Sequence, residues 1–224
     1  MVQEDSGGTG SRLRAALAAP AASVRLQAAL TAGTRPHAEH VEPLVERCAV
    51  EPDFFVRDML TWALTRHEAA PTVDRLLIEL KSATPQARSQ ALHTLSKIGA
   101  RRVWSAITSE LLRDSDDEVA RVAWRTAAGL VPPGSEARLA EELSTQFNRG
   151  DRDVRLSLSR AFATLGEAAL PVVERAKAAR DPGVRAHAMA TERIMRDPEE
   201  GFDAAIAQAQ RTLALLGAPV VVEG

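Results

Sequence analysis

Metal, thiol and carboxylate chemistry each have a candidate in this chain, and none of them is completed. His37 and His40, in HAEH, stand three residues apart, a spacing at which two imidazoles could begin a zinc site. Structural zinc takes four ligands, and no obvious third one stands nearby, so a solvated helix start is the expected role. Cys48 is the single cysteine, so no intramolecular disulfide can form. It lies in the apolar helical stretch VEPLVERCAV, where a small buried hydrophobe is the natural reading. The DSDDE run at 114–118 puts carboxylates where a helix begins, and they suit the positive end of that helix better than an acid–base pair. There is no GxSxG, no phosphate-cradling glycine loop, no HExxH and no CxxC. The chain is not expected to be an enzyme, and it implies no metal and no cofactor.

Two rows of residues can recognise something without catalysis. Arg25, Arg57, Arg88, Arg155 and Arg185 recur at one phase of a repeat, and such a column could read as a phosphate tract. The structural alternative is stronger, because an arginine fork at the border of an apolar stripe can reach a cap or carbonyl of the next repeat. The second row is less regular: Trp62, His93, Arg125 and Arg160, with Asp58, Arg121 and Trp124 near it. An exposed Trp beside Arg and His is the composition of a binding hot spot. Trp62 and Trp124 equally suit packing over a neighbouring helix. Trp104, in RRVWSAITSELL, sits among core-spaced residues and suits packing better.

Both rows depend on the elements that carry them. Six segments share one phase when aligned on a small apolar anchor: Val24, Val56, Ala87, Val119, Val154 and Val184. The intervals of 32, 31, 32, 35 and 30 residues suit one helix pair with its turns. Three residues before the anchors stand Ala21, Asp53, Thr84, Asp116, Asp151 and Asp181, five of which are good N-caps. Pro85 and Pro182 follow their caps, and Gly99 and Gly166 end their copies. Apolar residues at helical spacing follow each cap. First helices are expected near 12–19, 37–50, 71–82, 101–113, 135–149 and 167–179. Their partners fall near 22–32, 53–66, 84–98, 116–130, 151–165 and 182–195, and a last helix over 199–216 closes the open end. Residues 1–10 are polar and Gly-rich and read as a disordered tail, 11–217 as the repeat domain and 218–224 as a flexible end.

The bulk composition agrees. Of 224 residues 45% are hydrophobic, only 4% are aromatic and none is tyrosine, and no strand-like alternation appears before Val220–Val222. Charged residues make up 26% but nearly cancel, with a net charge of -2. A protein that coats duplexes shows a basic excess, so nucleic-acid binding is not favoured. No apolar run is long enough for a membrane span, and a reducing cytoplasm is the expected compartment.

The cap-x-x-V-R arrangement, seen as DFFVR, TPQAR, DRDVR and DPGVR, resembles the HEAT repeat family, in the short-repeat variety also found in phycobilisome-lyase-like proteins. The resemblance covers roughly residues 12–197. It implies an all-α, right-handed α-solenoid of about six HEAT-like helix pairs with a C-terminal capping helix. It also implies a polar ladder between neighbouring repeats, here Asp53, Asp116, Asp151 and Asp181 with Arg25, Arg57, Arg88, Arg155 and Arg185. Copy one lacks the Asp and copy four lacks the Arg, so the ladder should be interrupted there.

The function expected from these features is that of a non-enzymatic binding or adaptor protein. Its concave face would grip a protein segment through Asp58, Trp62, His93, Arg121, Trp124, Arg125 and Arg160, in a regulatory role. Two alternatives stand beside it: a DNA-binding or DNA-glycosylase-like HEAT protein, and a small-ligand or bilin-lyase-like one. The partner's identity and the oligomeric state are not legible.

Overall fold

The computed structural model describes residues 6–197 and 201–216, and every regular element among them is helical. The pairs are α1 (Ser6–Leu17) with α2 (Ala22–Thr34), α3 (Val41–Cys48) with α4 (Phe54–Thr65), and α5 (Ala69–Glu79) with α6 (Pro85–Ile98). Then come α7 (Ser109–Leu112) with α8 (Asp117–Leu130), α9 (Glu136–Ser144) with α10 (Arg152–Leu165), and α11 (Leu170–Lys177) with α12 (Pro182–Arg196). A final helix, α13 (Phe202–Leu216), follows. The second helices pack in series from α2 through α4, α6, α8 and α10 to α12, and α13 continues that row. The first helices form the other layer. This is the expected α-solenoid.

The caps set the phase. Asp53, Asp116, Asp151 and Asp181 each accept the backbone N–H three residues on, at Val56, Val119, Val154 and Val184, over 3.0–3.1 Å. Thr84 has the extended backbone of a cap but makes no such bond; Pro85, at the first helical position, has no N–H to satisfy. Gly99 ends α6 at φ 73°, a left-handed conformation that costs a residue without Cβ nothing. Between the layers lie Leu44, Leu60, Leu64, Leu92, Leu95, Leu143 and Leu158, all fully buried. Each such side chain contributes about 1.5–3 kcal/mol relative to exposure.

Some boundaries differ from expectation. The helix expected over 101–113 is a 3-10 stretch, Arg101–Ala106, followed by the single turn of α7. Thr108 is the cause: extended, it caps the new start by accepting from Leu111 N–H. The helix expected over 135–149 stops at Ser144, and the chain then turns through Asn148 and Gly150, both at positive φ. Shorter 3-10 stretches, Ala38–His40 and Gly166–Ala169, lead into α3 and α11. Helix α1 begins at Ser6, inside the stretch expected as a disordered tail, while 218–224 lies outside the described residues.

Four of the five column arginines bond the loop before their own helix, and the Asp–Arg ladder implied by the repeat family is not formed among the described residues. The capping aspartates are spent on their own helices. Arg25, Arg57, Arg88 and Arg185 each turn an NH1 back onto two carbonyls of the loop before their own helix, over 2.7–3.2 Å. Arg25 and Arg88 also reach forward to bidentate pairs with Glu51 and Asp114, which stand two residues before the next cap. Arg155 donates only to the Asp151 carbonyl, at 3.2 Å. In copy four, where Ala120 replaces the arginine, the vacant carbonyl of Asp114 is taken by Arg149, reaching back from the next repeat. Arg149 also pairs with Asp117 at 2.8 Å. The interruption is repaired from the neighbouring copy.

Candidate binding face

Successive second helices are in register, so residues six positions past each anchor come into line on one side of the stack. Along that line Trp62, Arg125 and Arg160 are exposed and His93 is partly buried. Leu30 extends the row at one end. At the other end Ala190 is sealed under α13, in a cluster with Ile194, Phe202 and Ala205. The open part of the row therefore runs over α2, α4, α6, α8 and α10.

The Trp62 indole comes close against Gly33 of α2, so its position depends on that glycine. A Cβ built on Gly33 would come within 2.3 Å of the indole Cζ3 and 2.8 Å of the Ala63 Cα. One of these neighbours is backbone, so the clash cannot be relieved by the ring alone. Gly33→Ala is expected to cost about 1–3 kcal/mol by overpacking. It should also swing the indole outward, read as a red shift and greater quenching of Trp fluorescence against the buried Trp124 background. Unchanged emission and stability would contradict this contact.

Arg121 and Arg125 form the wall between two depressions on this face. One, of about 460 Å³, is lined by Phe54, Asp58, His93 and Glu118 as well as the two arginines. The other, of about 470 Å³, adds Asp153, Leu156, Ser157 and Arg160. Arg121 is paired with Glu118, and Asp153 with Arg152. Arg125 is not paired with any carboxylate among the described residues; its NH2 meets only the Nδ1 of His93, at 3.5 Å. Burial, and then the charge of Arg121, hold the Arg125 guanidinium below its ordinary pKa. Burial, reinforced by Arg125 and Lys97, pushes His93 down as well. Arg160 likewise has no carboxylate partner among the described residues. The face offers an aromatic platform and, among the described residues, two guanidiniums and one acid, Asp58, that form no ion pair.

Six of the seven residues expected at a binding site thus share one face. The seventh does not: Trp124 is wholly buried, and its Nε1–H donates to the Leu112 carbonyl at 2.7 Å. Trp104 is partly buried against the core, as expected. Cys48 is buried, and burial pushes its thiol up to about 12, which leaves it unreactive. His37 is exposed and caps Glu39 N–H, whereas His40 is buried, its ring 5.6 Å from His37 and 5.9 Å from His67. Among the described residues no group of three potential ligands is placed to hold a metal ion. No helix among them is long and apolar enough to cross a membrane. Sequence reading missed Glu51, Arg149 and the exposure of Val24; only the last had a signal, in being the first copy of a stacked series.

No family model matches the chain, and no curated protein does. Among solved structures, an engineered protein is similar with a TM-score of 0.46 and 18% identity, over 89% of this chain and 97% of that one. The complex of CpcE and CpcF of phycocyanin lyase from Nostoc sp. is similar with a TM-score of 0.40 and 20% identity, over 91% of this chain and 82% of that one. At these values neither likeness bears on what the protein binds, and what stands is an all-helical solenoid of neighbouring helix pairs.

Proposed function

We propose that the protein is a non-enzymatic binding module that holds an extended segment of a partner protein along the face of α4, α6, α8 and α10. The observation that carries this reading is Arg125, a crowded guanidinium with no carboxylate in ion-pairing distance among the described residues, flanked along the row by Trp62 and Arg160. A carboxylate from the partner would neutralise Arg125 and Arg160 through charge-assisted hydrogen bonds. An apolar partner side chain would lie on the exposed edge of Trp62. Asp58, Glu118 and Asp153 interrupt the positive charge, which favours a peptide of mixed character over a continuous phosphate backbone.

The test compares partners recovered by the wild-type chain with those recovered by a Trp62→Ala/Arg125→Ala/Arg160→Ala variant. Buried Trp and Arg anchors are worth about 2 kcal/mol or more each, so affinity should drop at least about 30-fold with far-UV ellipticity unchanged. The same partners bound with the same affinity by the variant would refute the face.

A further inference from the structure

The first repeat carries an interior packing face that no described residue covers. In the second helices, the anchor and the residues four and seven positions past it meet the preceding helix of the stack. These are Val56, Leu60 and Ala63 in copy two, Ala87, Ala91 and Thr94 in copy three, and Val119, Ala123 and Thr126 in copy four, all buried. The copy-one set, Val24, Ala28 and Thr31, matches that of copy four residue type for residue type. Yet Val24 is 48% exposed against 0% for Val119, and Thr31 is exposed.

The threonines make the comparison sharper. Thr94 meets the Thr61 hydroxyl at 3.3 Å, Thr126 donates to the Leu92 carbonyl at 3.3 Å, and Thr191 meets the Ser159 hydroxyl at 2.7 Å. In each case the partner stands five positions past the anchor of the preceding helix. Thr31 has only the Gln27 carbonyl of its own helix, at 2.8 Å. Among the described residues α13 closes the far end of the stack, whereas at this end a groove of about 980 Å³ remains, floored by Leu13, Ala16, Val24 and Ala28.

The charge on its rim selects the occupant. Arg12 and Arg35 line the groove, and among the described residues neither meets a carboxylate; Arg12 donates only to Gly8 O and Thr9 Oγ1. No acidic residue among the described ones lines the groove. A twofold pairing with a second copy would bring these like charges together, which opposes it. We propose that the outer face of α1 and α2 docks a helix of another polypeptide, seated where a preceding repeat's second helix would lie, with a small apolar face inward and carboxylates against Arg12 and Arg35. This face is separate from the Trp62–Arg160 row and does not depend on it.

The chain's own α6 supplies the probe, because it covers the matching set on α8. Two helix-stapled peptides of residues 84–98 are compared by fluorescence anisotropy with the full chain, one with Gln86, Gln90, His93 and Lys97 all replaced by glutamate, the other with all four replaced by lysine. The glutamate peptide should bind at least about tenfold tighter at low salt, and that preference should fade near about 0.5 M salt, where screening is short-ranged. Val24→Glu should abolish binding, and Arg12→Ala/Arg35→Ala should erase the preference, while Trp62→Ala/Arg125→Ala/Arg160→Ala should leave both unchanged. Equal affinity of the two peptides, no binding by either, or indifference to Val24→Glu overturns the proposal. So does a wild-type dimer in sedimentation that Val24→Glu dissociates, since the face would then belong to a second copy.

Discussion

Replacing Trp124 by alanine is expected to destabilise the fold by about 3–5 kcal/mol, the range for emptying a fully buried aromatic site. The indole has no exposed surface and joins its own repeat to the next. It sits on α8, its Nε1–H holds the Leu112 carbonyl at the end of α7 of the same repeat, and the Arg149 guanidinium of the next repeat lies 5.9 Å from its ring centroid. The link from α8 back to the third repeat is made separately, by Thr126, which donates to the Leu92 carbonyl. A single turn such as α7 has few bonds of its own and depends on this contact to keep its place. Trp124→Phe separates the two contributions: most of the volume stays, but the Leu112 carbonyl loses its donor, for an expected cost of about 1–3 kcal/mol. Urea midpoints at constant slope give both numbers. A Trp124→Ala variant within 1 kcal/mol of wild type, on the scale of a surface substitution, would show that the indole is not part of the core.

The difference between Trp62 and Trp124 is one residue of phase. Trp62 stands six positions past its anchor and Trp124 five, a separation of about 100° around the helix. The residues five past the anchors in copies one to five are Ala29, Thr61, Leu92, Trp124 and Ser159, and all are buried against the neighbouring helix. That column is small or uncharged throughout, so the burial of Trp124 was legible once the column was read down the repeats rather than along one helix. The caps were legible because an Asp three residues before its N–H partner is a local bond. Partners of the arginines were not. Arg25 and Arg88 find Glu51 and Asp114 only because those two loops carry an acid two residues before the next cap; the corresponding residue after Arg57 is Ser82. Spacing fixes where a side chain starts. What it meets 26 residues later depends on loop composition that the repeat pattern does not constrain.

Glu51→Ala should be nearly as damaging as the loss of Trp124, although Glu51 belongs to no repeat column. Its carboxylate has no exposed surface and accepts both forks of Arg25 at 2.7 and 2.8 Å, the Nε of Arg47 at 2.7 Å and the Asp53 N–H at 2.9 Å. Burial pushes such a carboxyl up, but here the hydrogen bonds from Arg25, Arg47 and Asp53 outweigh burial and hold it at about 2. Removing it strands the buried Arg25 guanidinium, for an expected loss of about 3–5 kcal/mol. Most of that cost is the orphaned charge, so Arg25→Met/Glu51→Leu, which removes both charges and keeps the volume, should recover the larger part. The pH dependence has a definite sign. A carboxyl lowered on folding contributes its stability above its ordinary range near 4.5 and loses it as pH falls from there toward about 2. Glu51→Gln cannot titrate, so the stability gap between wild type and this variant should be full at neutral pH and close as the solution is acidified below about 4.5. Measuring the difference cancels the other carboxylates common to both chains. A gap that stays constant down to pH 3, well inside that window, would mean that the carboxylate is not the group holding α2 to the loop before α4.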